Sequence, residues 1–237
     1  MNMYKAMKQC LRAKYTHVEN AGDFAIERDG NILKLFFEWS DDVEDWINNF
    51  DFMPVSQKDG ESVYNKIVNG LKYLATVIKA WKKESAIPKK AYKKMPSVFY
   101  CHGGFLNVWK SIEPYLVEEI SNPEVKKIEI VGYSHGAAIG LLCYEYCIFN
   151  RPDCDVQGVG FGCPRVFWGI VPKTVKERFK NYKVVRNGRD IVTHVPPALF
   201  GFRHISEVVE IGQGESKGAI NDHRSENYLL HLKTETK

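Results

Sequence analysis

Ser134 is the residue whose surroundings in this sequence most strongly indicate covalent chemistry. It is the central residue of a G-x-S-x-G motif at Gly132–Gly136, which follows a β-type run at Ile128–Val131 and precedes an apolar run suited to a helix. In that context the motif puts a serine on a sharp turn between strand and helix, so that its hydroxyl projects clear of the sheet. The flanking glycines lack the Cβ atoms that would collide at such a turn. We therefore predict that Ser134 is a catalytic nucleophile.

The acid of a serine triad is predicted at Asp190. When the serine occupies such a turn, its partners follow in the chain order serine, acid, histidine. Asp190 comes just after a predicted strand at Tyr182–Arg186, at the carboxyl end where the acid must lie. Asp153 and Asp155 precede their strand and belong to the opposite edge. Asp222 is adjacent in the chain to the best candidate histidine, which is an awkward position for orienting its ring.

The base is predicted at His223. This residue follows the last predicted strand in the loop Ile220–Arg224, which returns to the same edge of the sheet. Of the other candidates, His204 precedes that strand and His194 lies four residues past the predicted acid. His231 falls within a terminal helix and is expected at the surface. A histidine that accepts the serine proton, oriented by an aspartate, is the machinery of acyl transfer.

These side chains must be positioned by a sheet, and the sequence after a linker at 84–96 alternates strand and helix patterns. Such alternation predicts an α/β fold with a mostly parallel sheet and a ligand site at the carboxyl ends of its strands. Upstream, two apolar runs around an Asp-Gly turn predict a β-hairpin from Phe24 to Phe37. The predicted strands are Val98–Cys101, Ile128–Val131, Val156–Phe161, Tyr182–Arg186 and Glu207–Ile211. The predicted helices are a short polar one at residues 1–20, then 42–50, Glu61–Lys83, Asn107–Ile120, Ser134–Phe149 and one between Pro172 and Lys180.

The composition is that of one globular domain over residues 1–237. Basic residues exceed acidic ones by 33 − 29 = 4, a balance too mild to indicate a nucleic-acid partner. The six cysteines include no C-x-x-C pair, and Cys143 and Cys147 have no second His or Cys pair to complete a metal site. We therefore expect no metal and no cofactor. The start of the sequence has no apolar h-region, so a cytoplasmic location is expected.

The chain resembles the class 3 lipases, the fungal-lipase-like branch of the α/β-hydrolases, over about residues 24–231. The specificity of the resemblance lies in an ordered set of blocks. These blocks are Phe37–Val55, His102–Phe105 (H-G-G-F), Gly132–Ala138 (G-Y-S-H-G-A-A), Gly160–Val166 (G-F-G-C-P-R-V), Asn187–Pro197 (N-G-R-D-I-V-T-H-V-P-P), and Asp222-His223 with Tyr228. The resemblance implies one α/β-hydrolase domain, with an inserted helical segment at about 57–96 that is longer than the usual connection of the family.

The family also implies a reaction, the hydrolysis of carboxylic esters, usually of acylglycerols or phospholipids. Ser134 would be the nucleophile, His223 the general base and then acid, and Asp190 the group that orients the imidazole. The oxyanion of the intermediate would be bound by two backbone N–H groups, those of Ser40 and His135, with the Ser40 hydroxyl as a further donor.

The departures from the family pattern leave other functions open. Glu38 and Trp39 stand where the family has Arg-Gly before the oxyanion residue, and His135 replaces a leucine. The segment His102–Gly104 also looks like the H-G-G-G oxyanion loop of other esterases. The alternatives are a catalytically silent module that binds lipids or proteins, and an esterase for small soluble esters or thioesters.

Two segments upstream of the linker indicate contact with a lipid surface. Helix 42–50 is apolar on one face and acidic on the other, and helix Glu61–Lys83 carries a second apolar stripe. A basic cluster follows that stripe, and an apolar stripe beside basic residues is what adsorption to an anionic membrane requires. Its members are Lys79, Lys82, Lys83, Lys89, Lys90, Lys93 and Lys94. The expected partners are therefore a lipid or ester substrate and, transiently, an anionic membrane surface.

Overall fold

The computed structural model describes residues 1–19, 22–38, 100–169, 173–213 and 215–234. The strands are β1 (Thr16–Val18), β2 (Gly22–Asp29), β3 (Ile32–Glu38), β4 (Tyr100–Cys101), β5 (Lys127–Tyr133), β6 (Asp155–Phe161), β7 (Phe167–Trp168), β8 (Tyr182–Asn187), β9 (Phe202–Arg203) and β10 (Glu207–Ile211). The helices are α1 (Met3–Cys10), α2 (Gly103–Ser121), α3 (His135–Asn150), α4 (Lys173–Arg178) and α5 (Ser225–Thr234). Short 3-10 turns occur at Val192–His194, Ala198–Phe200 and Asn221–His223.

The main sheet confirms the predicted architecture. It has seven strands in the order β1-β2-β3-β5-β6-β8-β10. The pairs from β3 to β10 are parallel, whereas β1–β2 and the β2–β3 hairpin are antiparallel. Strands β5 and β6 are apolar and buried on both faces for most of their length, as expected when helices cover a parallel sheet. The carboxyl ends of five parallel strands therefore meet at one edge.

Two apolar cores lie on opposite faces of this sheet. Consecutive residues of a strand point to opposite faces, and Leu35 and Phe36 accordingly belong to different clusters. Helices α2 and α3 pack on one face, where Trp109 is fully buried. Helices α1 and α5 contribute to the other face, where Met7 and Tyr228 are fully buried. The sheet is thus covered on both sides, and its edge carries the loops.

Three sequence predictions need correction. The helix predicted at residues 1–20 ends at Cys10, and Thr16–Val18 form strand β1. The predicted strand at Val98–Cys101 does not join the main sheet: its described part, β4, pairs antiparallel with β7, which pairs with β9. An apolar run predicts a strand but does not predict which strand pairs with it, and β4 belongs to a small three-stranded sheet. The helix predicted from Asn107 begins earlier, at Gly103, and it continues through Pro114.

Several predictions fall on residues outside the described ranges. These are Ser40, helix 42–50, helix Glu61–Lys83, the insertion at 57–96 and the basic cluster within it. The division of the chain into one domain with an insertion stays a prediction. Within the described ranges, no helix is both long enough and apolar enough to cross a membrane.

Candidate active site

The turn between β5 and α3 holds Ser134 in a strained backbone conformation. Its φ of 56° makes it the one non-glycine residue with positive φ among the described residues, a conformation that is costly for an L-residue and recurs at functional sites. Its backbone N–H donates to the carbonyl of Phe161 over 2.8 Å, which ties the turn to β6. A Cβ at Gly136 would overlap the backbone of Phe37 and Glu38, so the turn requires a glycine there.

Three predicted residues come together at this turn. His223 Nε2 lies 2.9 Å from Ser134 Oγ, and His223 Nδ1 lies 2.9 and 2.8 Å from the two carboxylate oxygens of Asp190. Because a carboxylate only accepts hydrogen bonds, Nδ1–H is the donor to Asp190 and Nε2 is left to accept from the serine hydroxyl. All three side chains are buried. The arrangement is that of a serine nucleophile, a base and an orienting acid.

The strand order explains this meeting. Ser134 follows β5, Asp190 follows β8 within three residues, and His223 lies in the loop after β10. Strands β8 and β10 are neighbours and parallel, so the loops that carry acid and base leave the same edge side by side. The site therefore lies at the carboxyl ends of the strands, where α/β sheets bind their ligands.

The carboxylate of Asp190 is held by more donors than His223 alone. The hydroxyl of Tyr228 donates to Oδ2 over 2.5 Å, and the backbone N–H of Val192 donates to Oδ1 over 2.9 Å. Burial, together with the charge of Asp190, raises the pKa of Tyr228 well above its ordinary value, so the phenol remains a donor. Tyr228 appears in the sequence only as part of the closing motif, and no local pattern predicts that it touches the acid.

The imidazole of His223 is supported by Tyr133, the residue before the nucleophile. The two rings stack with centroids 5.4 Å apart, and the Tyr133 hydroxyl donates to the carbonyl of His223 over 2.6 Å. Both contacts join residues that are 90 positions apart in the chain. No sequence signal marks this role of Tyr133, because the middle residues of a G-x-S-x-G motif vary freely.

His135 begins α3 directly after the nucleophile, where first-turn amides have no helical acceptor. This position agrees with the predicted use of its backbone N–H as an oxyanion donor, and that role stays a prediction. Burial, with the nearby His102, lowers the pKa of its imidazole to about 3. The ring is therefore neutral near pH 7, and it contacts the edge of Phe105 at a centroid distance of 5.1 Å. His102, at the N-cap of α2, also has a pKa lowered by burial, to about 4.

The remaining histidines do not contact the triad in the described structure. His204 Nε2 donates to the carbonyl of Thr193 over 2.8 Å. His231 was expected at the surface, and that expectation is wrong: its side chain is buried, with Nδ1 2.5 Å from Asn187 Oδ1. The reason is tertiary, because the face of α5 that carries His231 packs against the end of β8.

The cysteines of the described residues offer no metal centre. The six thiols are free, and Cys143 Sγ lies 4.0 Å from Cys147 Sγ in the buried part of α3. Across the described ranges, no group of three or more His, Cys, Asp and Glu side chains is arranged to hold a metal ion. Burial raises the pKa of both Cys101 and Cys10 to about 12, so these thiols stay protonated.

The family model and the related sequences that match this chain are all lipases. The family described as Lipase (class 3) matches residues 35–200. A secreted mono- and diacylglycerol lipase of Malassezia globosa is 34% identical over 98 residues, covering 40% of this chain and 31% of that protein. A lipase of Rhizomucor miehei is 32% identical over 114 residues, covering 45% of this chain and 31% of that protein. The chain thus aligns with about a third of the length of these relatives.

Solved structures agree on the fold. The triacylglyceride lipase of Rhizomucor miehei superposes with a TM-score of 0.56 at 22% identity, covering 84% of this chain and 65% of that one. A lipase of Rhizopus microsporus var. chinensis gives a TM-score of 0.59 at 19% identity, covering 90% and 66%. At these identities the likeness establishes the fold, which is that of the α/β-hydrolases.

The comparisons also overturn the expected location. Two of the matched relatives, both from Malassezia globosa, are named as secreted lipases, which contradicts the expected cytoplasmic location.

The family match covers well over half of the chain, and it includes both the strained turn at Ser134 and the loop that carries Asp190. The three buried side chains at that turn have the geometry that a serine esterase needs. The chain belongs to the class 3 lipase family and has its α/β-hydrolase fold.

Proposed function

We propose that the chain is a serine carboxylic-ester hydrolase that acts on lipid or lipid-like esters, of the acylglycerol lipase or phospholipase type. The observation that carries the proposal is the continuous hydrogen-bonded path from Ser134 Oγ through His223 to Asp190, with distances of 2.9 and 2.8 Å. A path with these three groups in this order activates a hydroxyl for attack on an acyl carbon.

The reaction has two halves. Ser134 Oγ attacks the ester carbonyl while His223 Nε2 takes its proton, and Asp190 stabilises the imidazolium that results. The tetrahedral intermediate collapses as His223 returns the proton to the leaving alcohol, and the acyl group stays on Ser134. Water then attacks the acyl-enzyme with His223 again as base, which releases the carboxylic acid and restores the hydroxyl.

The oxyanion is assigned to backbone donors. The N–H of His135 lies at the start of α3, where the helix dipole also favours negative charge. The second donor proposed is the N–H of Ser40, which lies outside the described residues. If the Ser40 hydroxyl also contributes, Ser40→Ala should lower kcat by about 10²-fold with little change in KM.

The substrate class rests on the relatives. Proteins named as mono- and diacylglycerol lipases and as a triacylglyceride lipase match this chain. We therefore assign acylglycerols as the first substrates to test. Transient contact with an anionic membrane surface, through the basic cluster of the insertion, is part of the same proposal.

A catalytically silent binding module is the second candidate, and Glu38 favours it. This residue ends β3, directly before the expected oxyanion segment, in the place of a family arginine. Burial, and then the charge of Asp23, raises the pKa of its carboxyl. Where it is ionised, a carboxylate in this position would oppose the build-up of negative charge in the expected oxyanion segment, because like charges repel.

One experiment separates these candidates. The purified chain is treated with a fluorescent fluorophosphonate and assayed on p-nitrophenyl esters, mono-, di- and triacylglycerols and phospholipids. We expect labelling of the wild type, no labelling of Ser134→Ala, and a loss of kcat of at least about 10³-fold in His223→Ala and Asp190→Asn. If the folded wild type is neither labelled nor able to hydrolyse any of these esters, the proposed hydrolase function is wrong and the binding module is supported.

A further inference from the structure

We propose that Asp222 is a positioning residue that clamps the acid loop (Asn187–Asp190) to the base loop (residues 215–223), and so sets the distance between the triad acid and base. This inference rests on the proposed function, since it assigns a role in the same reaction. Asp222 precedes His223 in the chain, and it was rejected above as the triad acid.

The carboxylate of Asp222 receives hydrogen bonds from both loops. Its Oδ2 accepts from the backbone N–H of Arg189 over 2.7 Å, and Arg189 directly precedes the acid. The same oxygen accepts from Ser216 Oγ over 2.6 Å, and Oδ1 accepts from the backbone N–H of Lys217 over 2.8 Å. One side chain therefore joins the residue before Asp190 to the segment that leads into His223.

The main chain of Asp222 makes a second connection. Its carbonyl accepts from Asn187 Nδ2 over 2.9 Å, and Asn187 Oδ1 is in turn bound by His231 Nδ1. Asn187 and Asp222 are almost completely buried. Buried amides and carboxylates are stable only when satisfied in this way, so the connection is rigid.

A glycine in the acid loop makes room for the clamp. Gly188 has a φ of +47°, and a Cβ built on it would lie 2.6 Å from Asp222 Oδ2. The close approach of the carboxylate and the left-handed backbone thus both require glycine at this position. The acid loop is thus shaped around the side chain of Asp222, and this observation is separate from the hydrogen bonds that the carboxylate accepts.

The clamp needs a charged acceptor. Although burial opposes it, the hydrogen bonds from Ser216 and the two backbone amides lower the pKa of Asp222. An asparagine has one acceptor oxygen in place of two: in one orientation its NH₂ group would face the backbone N–H of Lys217, and in the other it would face the backbone N–H of Arg189. The loops would then separate, and a displacement of about 1 Å in a catalytic group can cost roughly 10²-fold in rate.

The test is Asp222→Asn in the full chain, with Asp155→Asn, an exposed aspartate at the opposite end of β6, as matched control. We expect kcat on p-nitrophenyl butyrate and the rate of fluorophosphonate labelling to fall together by about 10- to 100-fold. KM should change less than about twofold, because the contacts that are lost join two loops of the protein to each other. The control should match the wild type. A folded Asp222→Asn variant with wild-type kcat and labelling rate would overturn the proposal.

A second readout is independent of turnover. The Nδ1 proton that His223 shares with Asp190 should give a far-downfield NMR resonance, lost in Asp222→Asn and kept in Asp155→Asn. If the wild type shows no esterase activity, the proposed function fails while this comparison still tests the clamp. If Asp222→Asn does not fold, Ser216→Ala removes one donor and should slow labelling severalfold. An unchanged rate in Ser216→Ala would then overturn the proposal.

Discussion

The hydroxyl of Tyr228 lies 2.5 Å from Asp190 Oδ2, closer to this carboxylate than the imidazole of His223, whose Nδ1 is 2.8 Å away. Tyr228→Phe removes the 2.5 Å bond to Asp190 Oδ2 and the acceptor for the backbone N–H of Asn187, while the ring keeps its packing against Phe161. A buried donor left without an acceptor costs about 1–3 kcal/mol in the free energy of unfolding. We expect a loss of that size in urea denaturation, and a kcat lower by about tenfold, which corresponds to roughly 1.4 kcal/mol.

Tyr115→Phe is the matched control, because the side chain of Tyr115 is 58% exposed on α2. It should leave both stability and kcat unchanged. If Tyr228→Phe also leaves the free energy of unfolding and kcat unchanged, the hydroxyl of Tyr228 does not help to hold the Asp190 carboxylate and the side chain contributes only packing.

The contact between the starts of α2 and α3 predicts a pH dependence of stability. His135 has a folded-state pKa of about 3, below the ordinary value of 6.5. At pH values between about 3 and 6.5, the imidazole of His135 is protonated in the unfolded chain and neutral in the folded chain. The free energy of unfolding therefore falls as the pH falls below about 6.5. For a residue buried as deeply as His135, the loss by pH 4 is on the order of 3 kcal/mol.

The measurement is urea unfolding of the wild type, His135→Leu and His17→Leu at pH 7 and pH 4.5. His135→Leu should lose less stability between the two pH values than the wild type. His17, whose side chain is 65% exposed, serves as the control. Equal losses in the wild type and His135→Leu would contradict the assignment of a buried neutral ring.

At the scale of elements, the sequence is informative where the signal is local. The hairpin, the four main strands after the linker and the helix behind Ser134 follow from periodicity and turn residues, and the structure has them within a few positions. The partner of β4 and the burial of His231 could not be predicted, because each depends on which distant segment packs against it. The same holds for the stacking of Tyr133 on His223, which joins residues 90 positions apart.

Three residues whose side chains meet in the structure were nonetheless predicted together from the sequence alone. The order of serine, acid and histidine, with the rule that sites lie at the carboxyl ends of parallel strands, singles out Ser134, Asp190 and His223. Tyr228 bonds directly to Asp190, and Asp222 accepts from the backbone of Arg189, the residue before it; no spacing rule identifies such contacts. The oxyanion role of Ser40 stays a prediction.

For the whole molecule, the basic cluster predicts weak and salt-sensitive binding to anionic vesicles. Each lysine near an anionic surface contributes up to about 1 kcal/mol. Changing Lys82, Lys83, Lys89 and Lys90 to glutamate should abolish sedimentation with such vesicles, while hydrolysis of soluble short esters continues. Arginine at the same four positions is the control and should bind like the wild type. Equal binding of vesicles by the wild type and the glutamate variant would contradict the proposal that the basic cluster binds the membrane surface.

The three triad residues also differ in how deeply the sheet anchors them. Ser134 follows β5, in the middle of the sheet, and its amide is bound inside the fold, whereas His223 follows β10, the last strand at the edge. Segments at a sheet edge open by local fluctuation at lower free energy than central strands do. Amide hydrogen exchange should therefore be slowest at Ser134 and faster in the base loop. Mild denaturant should then abolish activity at a concentration at which the central sheet is still intact.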